Sequence, residues 1–405
     1  MKKVLKVLGY ALLLVLVAAG AFASYVAATG IPRYPTGNVQ IKVEPTPERV
    51  ARGRKFAKML CADCHMNPTT RQLTGKQLGD LPAQFGVAFS KNITQDAQKG
   101  LGTWTDGELI YLLRTGIDRK GQYLPPWMVK LPLMSDEDLQ SIVAFLRSDD
   151  PMVAAVPSDP AGTTQPSFLT KLLTHTAFKP LPYPQKVIAT PPVEDKVAYG
   201  RYLTSNLGCY SCHSADFKTL DDLEPEKSAG YFGGGNPLED MNGEVVRSAN
   251  ITPDDETGIG KWSEEDLTRA LRTGIRPDKT VLRYPMGLRP ELTAEDSSAI
   301  YAFLRTVPKI QNRIPAPVRP VVADANEGKQ IYLTYGCVGC HGKNGVGVAD
   351  LRQAVAHYPT DSQLIAWIKN PQAIKPDTKM PAWEGVIPED KFPALIAYVK
   401  ELGAQ

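Results

Sequence analysis

The sequence predicts a mainly α chain, with an N-terminal hydrophobic helix followed by three tandem small helical domains. Three observations predict this. An uncharged apolar run extends from Val7 to Ala28. A five-residue pattern occurs three times, each copy more than one hundred residues from the next. The periodicity between copies is helical: Leu109, Leu112 and Leu113 share one face, as do Leu139, Ile142, Val143 and Leu146. Strand-like alternation is scarce.

Residues 1–30 are a targeting or anchoring segment. Lys2, Lys3 and Lys6 precede the apolar run, which is long enough to cross a bilayer, a task needing about 20 residues. Ala21-Phe22-Ala23 also fits a small-x-small cleavage signal. Both readings export the rest of the chain. The apolar stretch continues past that site, which favours a retained anchor over a cleaved signal. The composition of the whole chain is that of a globular protein, with 43% apolar and 22% charged residues over a length that allows several domains. A net charge of +3, with no Lys/Arg run interleaved with aromatics, excludes nucleic acid as a partner.

The spacing divides the exported part into units at 46–150, 193–308 and 323–405. Proline-rich linkers at 151–192 and 309–322 join them, the second expected to be a semi-rigid spacer. Each unit opens with a helix-like stretch carrying a Gly (Gly53, Gly200, Gly328) and a bulky residue three positions on (Phe56, Leu203, Ile331). A Gly so placed can mark a close helix–helix contact. The first two units match further, at a constant offset. Asn92-Ile93-Thr94 matches Asn250-Ile251-Thr252, Trp104 matches Trp262, and Arg114-Thr115-Gly116-Ile117 matches Arg272-Thr273-Gly274-Ile275. Helix starts follow at Ser135 and Thr293, with acidic residues behind each hydroxyl. This is duplication of one fold, with an inserted loop around Tyr231–Gly235 in the second copy. The third unit is shorter and ends in a helix near Asp390 to Leu402.

All six cysteines fall in the repeated pattern, Cys-x-x-Cys-His: Cys61, Cys64 and His65; Cys209, Cys212 and His213; Cys337, Cys340 and His341. None is left for a structural disulfide. Two thiols at this spacing can form thioethers to the two vinyl groups of one porphyrin, and the adjacent His supplies an axial nitrogen to the iron. The pattern therefore predicts three haem c groups. Covalent haem also supplies core that so few residues lack. Zinc would need four ligands, and no second pair lies near any motif. A thioredoxin-like pair would need a βαβ context that is absent.

Counting narrows the sixth ligand. Only His175 and His357 remain, so bis-His ligation of three irons within the chain is impossible. Methionine is the soft alternative. Unit three offers Met380 alone. Unit two offers Met241 and Met286, and unit one offers Met128 and Met134. Register selects Met128 and Met286, each twelve residues after the Gly of Arg-Thr-Gly-Ile. His175, in the linker, and His357, in a loop-like stretch, read as surface residues. Trp104 and Trp262 are expected to pack on haem or core. Arg114 and Arg272 are expected either to pair with haem propionates or to sit at exposed helix ends. Filled sixth positions suit electron transfer. The alternative is a haem enzyme, a peroxidase or small-oxide reductase, with one open position.

These features resemble the multihaem cytochrome c subunits of membrane-bound alcohol, aldehyde and sugar-acid (gluconate) dehydrogenases. The likeness is carried by the three Cys-x-x-Cys-His motifs, the segments Asn92–Trp104 and Asn250–Trp262, and the two Arg-Thr-Gly-Ile segments, over residues 46–308. The third unit is similar to a class I cytochrome c domain. The resemblance implies three tandem class I cytochrome c-like domains and an electron carrier with no substrate chemistry of its own. It implies a quinoprotein or flavoprotein dehydrogenase as donor, ubiquinone or a terminal oxidase as acceptor, and a place on the periplasmic side of the bacterial inner membrane. Membrane attachment in that family is usually C-terminal, whereas the hydrophobic segment here is N-terminal.

Overall fold

The computed structural model describes residues 2–79, 81–160, 162–239, 245–282, 285–315, 327–347 and 349–403. Met241 and residues 316–322 of the spacer 309–322 lie outside them. The helices in chain order are α1 (Lys2–Thr29), α2 (Pro47–Leu60), α3 (Ala62–His65), α4 (Asp106–Thr115), α5 (Asp136–Leu146), α6 (Phe168–Thr176), α7 (Lys196–Asn206), α8 (Cys209–His213), α9 (Glu264–Thr273), α10 (Ala294–Leu304), α11 (Glu327–Thr334), α12 (Cys337–His341), α13 (Leu351–His357), α14 (Asp361–Lys369), α15 (Pro371–Ile374) and α16 (Phe392–Gly403). Two small antiparallel pairs complete the set. β1 (Gly86–Val87) pairs with β2 (Gln165–Pro166), and β3 (Pro237–Glu239) pairs with β4 (Val245–Arg247) with Leu238 opposite Val246. The second pair follows Tyr231–Gly235, where the second copy carries its inserted loop. Beside it Phe232 is fully buried.

The chain forms two compact units. The first comprises Met1–Arg54, Leu73–Pro132 and Asp136–Ile188. Its centre is the packing of α4 and α5 through Leu109, Leu113, Leu139, Ile142, Val143 and Phe145, all buried. Helix α4 starts at a reciprocal capping box, in which Thr105 accepts from the Glu108 amide and the Glu108 carboxylate accepts from the Thr105 amide. It stops at Gly116, whose φ of +79° suits a residue without Cβ. The first turns of α2 cross α5 at Gly53, where a Cβ would fall 1.7 Å from the Ser141 carbonyl oxygen. The fully buried Asp138 pairs there with Arg52.

Residues 151–192 do not form an extended spacer throughout, because they contain α6. That helix is capped by Ser167, which accepts from the Thr170 amide. Thr170 Oγ1 in turn donates to the Phe85 carbonyl at 2.7 Å. Its other face meets the C-terminal turns of α1, where Val26 is fully buried. Helix α1 is otherwise exposed and is long and apolar enough to cross a membrane.

The second unit comprises Lys55–Gln72, Leu133–Ser135 and Ala189–Gln405. Helices α7 and α10 cross at Gly200, with the virtual Cβ 1.9 Å from the Ala299 carbonyl oxygen. Helices α11 and α16 cross at Gly328 in the same way, 2.1 Å from the Ala394 carbonyl oxygen. Around the latter crossing Tyr332, Trp383, Phe392, Leu395, Ile396 and Val399 form a core that also takes in Ile275, from the segment after α9. Asp296, in the first turn of α10, accepts from Tyr199 at 3.2 Å and pairs with Lys55.

The duplication seen in the sequence extends to the bonding. The Thr94 and Thr252 amides each donate to the side-chain oxygen of the preceding Asn, at 2.9 Å in both copies. Leu131 donates to the Leu113 carbonyl as Arg289 does to that of Leu271, and Leu124 to Gly116 as Leu282 does to Gly274.

Candidate haem-binding motifs

All three Cys-x-x-Cys-His motifs belong to the second unit, and in each the two cysteines and the histidine lie on one short helical turn. In α3 the His65 amide donates to the Cys61 carbonyl at 2.8 Å, which sets the histidine one turn beyond the first thiol. Helices α8 and α12 each begin after a left-handed glycine, Gly208 and Gly336. The six cysteines form no disulfide. Burial pushes the thiols of Cys61 and Cys337 up to about 12 and that of Cys209 to about 11. Cys212 and Cys340 are raised by the same desolvation. Thiols held protonated in this way are poor metal ligands and poor nucleophiles. Among the described residues no group of three or more His, Cys, Asp or Glu side chains is placed to hold a metal ion.

The histidines are set up differently from the thiols. His213 Nδ1 lies 2.8 Å from the Ala249 carbonyl oxygen, and His341 Nδ1 lies 3.0 Å from that of Ala349. A carbonyl can only accept, so each Nδ1 carries the proton and Nε2 keeps its lone pair. Desolvation lowers the affinity of both imidazoles for a second proton. A neutral ring, oriented through one nitrogen with the other left basic, is the arrangement an axial iron ligand requires. His65 is buried. The donor set therefore fits covalent haem: two thiols and one histidine per turn, with the imidazole oriented through Nδ1 at the second and third motifs.

The motifs are linked within the unit. Asp63, inside the first motif, pairs with Arg289 at 3.3 Å. The Arg289 guanidinium also opposes the burial that raises Cys209 and Cys212, while the Asp63 carboxylate adds to the burial that raises Cys340. Arg71 donates to the Gly347 carbonyl at 3.3 Å. Gly347 packs against the backbone of Cys340 and His341. Arg71 is one of three non-glycine residues with positive φ among those described, held by a tight turn whose amides Asn67 caps.

Of the candidate methionines, Met128 lies in the first unit, and Met286 and Met380 lie in the second. All three are half-buried. Met380 packs on the core beside Trp383. Met134 is fully buried.

Arg114 is not at an exposed helix end, one of the two places the sequence offered for it. It is fully buried, donates to the carbonyls of Leu131 and Pro132 at 3.0 Å each, and pairs with Asp136 at 2.6 Å. It is a structural clamp on the end of the Met128 loop rather than a surface group. Its counterpart Arg272 has no side-chain partner among the described residues, because Ala294 stands where the first copy has Asp136. His357 ends helix α13, with Nδ1 on the Gln353 carbonyl, and is exposed as expected though not in a loop. His175 is not a free surface residue. It is half-buried, with Nε2 2.9 Å from the Gly30 carbonyl oxygen and its ring edge-on to Tyr25. Trp104 and Trp262 are half-buried, and Arg119 stacks over the former.

Known proteins agree with this chemistry. The family described as cytochrome c matches residues 50–149, and the family described as cytochrome c oxidase, cbb3-type, subunit III matches residues 323–399. The cytochrome c subunit of alcohol dehydrogenase (quinone) from Gluconacetobacter polyoxogenes is 26% identical over 369 residues, covering 85% of this chain and 75% of its own. The fructose dehydrogenase cytochrome subunit of Gluconobacter japonicus is 28% identical over 364 residues, covering 78% and 68%. The gluconate 2-dehydrogenase cytochrome c subunit of Pantoea cypripedii is 27% identical over 340 residues, covering 76% and 73%. These relatives are the electron-transfer subunits of dehydrogenases, not the catalytic ones. The chain is thus a protein of cytochrome c domains, homologous to the cytochrome c subunits of alcohol, fructose and gluconate dehydrogenases.

Proposed function

We propose that the chain carries three haems c and relays electrons from a dehydrogenase at the periplasmic face to quinone or a terminal oxidase, held at the inner membrane by α1. One haem belongs to each of the units 46–150, 193–308 and 323–405. Cys61 and Cys64, Cys209 and Cys212, and Cys337 and Cys340 form the thioethers. The axial pairs are His65 with Met128, His213 with Met286, and His341 with Met380.

The observation that carries this reading is the pinning of His213 and His341 through Nδ1, which leaves Nε2 for iron. Bound haem supplies one-electron chemistry, at a potential that Met/His ligation raises. The chain supplies orientation and a fixed electrostatic setting. The Ala249 and Ala349 carbonyls hold the ring orientation, and burial disfavours protonation of the imidazoles. The full enclosure of Met134 in protein supports Met128 as the ligand. The unpartnered guanidinium of Arg272 supports a propionate contact in the second unit of the repeat only. The relatives, one an alcohol dehydrogenase (quinone) subunit, support a dehydrogenase donor and a quinone acceptor.

Ferric spectra of single variants test the ligand set. Met128→Ala, Met286→Ala and Met380→Ala should each convert one low-spin haem to high-spin, and Met134→Ala should convert none. Conversion by Met134→Ala with Met128→Ala silent would refute the assignment. A high-spin haem in the unaltered protein would favour the open-site alternative.

A further inference from the structure

The C-terminal end of α1 borders a cavity that electron transfer does not use. It has a volume of about 440 Å³ and lies wholly within the first unit, walled by Tyr25, Thr29, Arg33, Gln122, His175 and the two apolar residues before Arg33. Its walls are fixed. His175 Nε2 lies 2.9 Å from the Gly30 carbonyl oxygen and 3.3 Å from Thr29 Oγ1. Gln122 donates to the carbonyls of Ile31 and Pro32 at 3.2 Å each, and the backbones of Arg33 and Gln122 are bridged. The Arg33 guanidinium has no hydrogen-bond or ion-pair partner among the described residues. No carboxylate lines the cavity.

The position of the cavity along α1 is informative. Between Lys6 and Arg33 there is no charged residue. Lys6 to Tyr25 is nineteen residues of helix, about 28 Å at the α-helical rise, close to the roughly 30 Å of a bilayer's hydrocarbon core. With the lysines at one surface, Tyr25 falls at the other, where aromatic residues concentrate. Arg33 and His175 then stand at headgroup depth. Beside them α6 leaves Phe168 and Leu169 exposed, apolar groups suited to the same interface.

We propose that this cavity binds the phosphate of an anionic phospholipid of the outer leaflet of the inner membrane, with Arg33 as the charged contact and Tyr25, Gln122 and His175 shaping the pocket. The inference rests on the reading of α1 as a retained anchor. A quinone ring fits less well, because five of the seven lining residues are polar and a flat apolar ring needs apolar walls. The bound headgroup would fix the depth and tilt of the first unit against the bilayer.

The test uses the full-length, haem-loaded protein in mild detergent, followed by native mass spectrometry during titration with phosphatidylglycerol or phosphatidylcholine. Phosphatidylglycerol should bind tighter by about fivefold, the factor one cationic side chain carries at a membrane surface. Arg33→Gln should abolish that preference, and Arg33→Lys should retain part of it. Inorganic phosphate at equal concentration should not compete. Equal binding of the two lipids, an unchanged preference in Arg33→Gln, displacement by inorganic phosphate, or co-purification of a quinone in the cavity would each overturn the proposal. The intact mass of the same sample separates the two readings. A chain lacking α1 refutes the anchor and the lipid site together, whereas a full chain without lipid preference refutes the site alone.

Discussion

Substituting Gly200 by Ala places one methyl group where the fold has no room for it. The new Cβ would fall 1.9 Å from the Ala299 carbonyl oxygen, 2.5 Å from its carbon and 2.8 Å from Phe303 Cβ. Ordinary carbon–oxygen contacts lie near 3.4 Å, so α7 and α10 would have to separate by roughly 1.5 Å at their crossing. Two of the three obstructing atoms are helix backbone and cannot rotate away. Separation would also loosen Leu203, Phe232 and Phe303, which are buried around the crossing. Overpacking costs about 1–3 kcal/mol, and a rigid backbone obstacle belongs at the top of that range. The better helix propensity of Ala returns about 1 kcal/mol. We expect a net loss of about 2 kcal/mol for the second unit, a shift in its folding equilibrium of roughly thirtyfold. Cys209 follows α7 by three residues, so attachment at the second motif should fall as well. Urea unfolding by circular dichroism, with haem content measured on the same sample, checks both effects. Gly79→Ala is the control, because nothing lies within 4 Å of its Cβ position. A Gly200→Ala protein within about 0.5 kcal/mol of the parent, indistinguishable from the control, would refute the close-crossing argument.

Arg114→Gln leaves two buried carbonyls and the Asp136 carboxylate without their partner and should cost about 3–5 kcal/mol by chemical denaturation. Arg272→Gln, by contrast, should stay within about 0.5 kcal/mol. Burial would raise the carboxyl of Asp296, but the Lys55 ion pair and the Thr293 cap together hold it below its usual value. The stabilisation is therefore present above the unfolded carboxyl range near pH 4 and is lost as pH falls through the lower folded value. Asp296→Asn should remove that acid limb from a plot of stability against pH, and an unchanged limb would contradict the assignment. In a potentiometric titration, Asp63→Asn should raise the midpoints of the first and third haems by removing a negative charge beside them. Arg289→Gln should lower the midpoint of the second. Shifts of the opposite sign would show that the pair does not act as fixed charges.

Much of the site was legible because covalent chemistry fixes it locally: a Cys-x-x-Cys-His turn needs only five consecutive residues. The three glycines were legible for a related reason, since a helix crossing that excludes Cβ recurs eight or nine residues before the first cysteine of each motif. Helix starts at Ser135 and Thr293 followed from hydroxyl and acidic residues, and the structure begins α5 directly after Ser135 and forms a capping box at Thr293. What stayed hidden depends on distant residues. Arg114 and Arg272 sit in identical tetrapeptides, and only the change from Asp136 to Ala294 separates a buried clamp from an unpartnered cation. Helix α6 was masked by the prolines around it, since its reason to form is an apolar face that meets α1. The role of His175 followed from the same contact. The pairing of Asp63 with Arg289 joins residues more than two hundred positions apart, beyond the reach of any local pattern.

On the proposed function, each of the three turns carries one covalent haem. Pyridine haemochrome absorbance per mole of chain, with intact mass under denaturing conditions, measures this directly. Three haems per chain are expected, with a mass that stays three haems above the polypeptide after unfolding. Each paired Cys→Ala variant, at Cys61 and Cys64, Cys209 and Cys212, or Cys337 and Cys340, should lose one. A count of two, or a mass that falls to the bare polypeptide on denaturation, would contradict it.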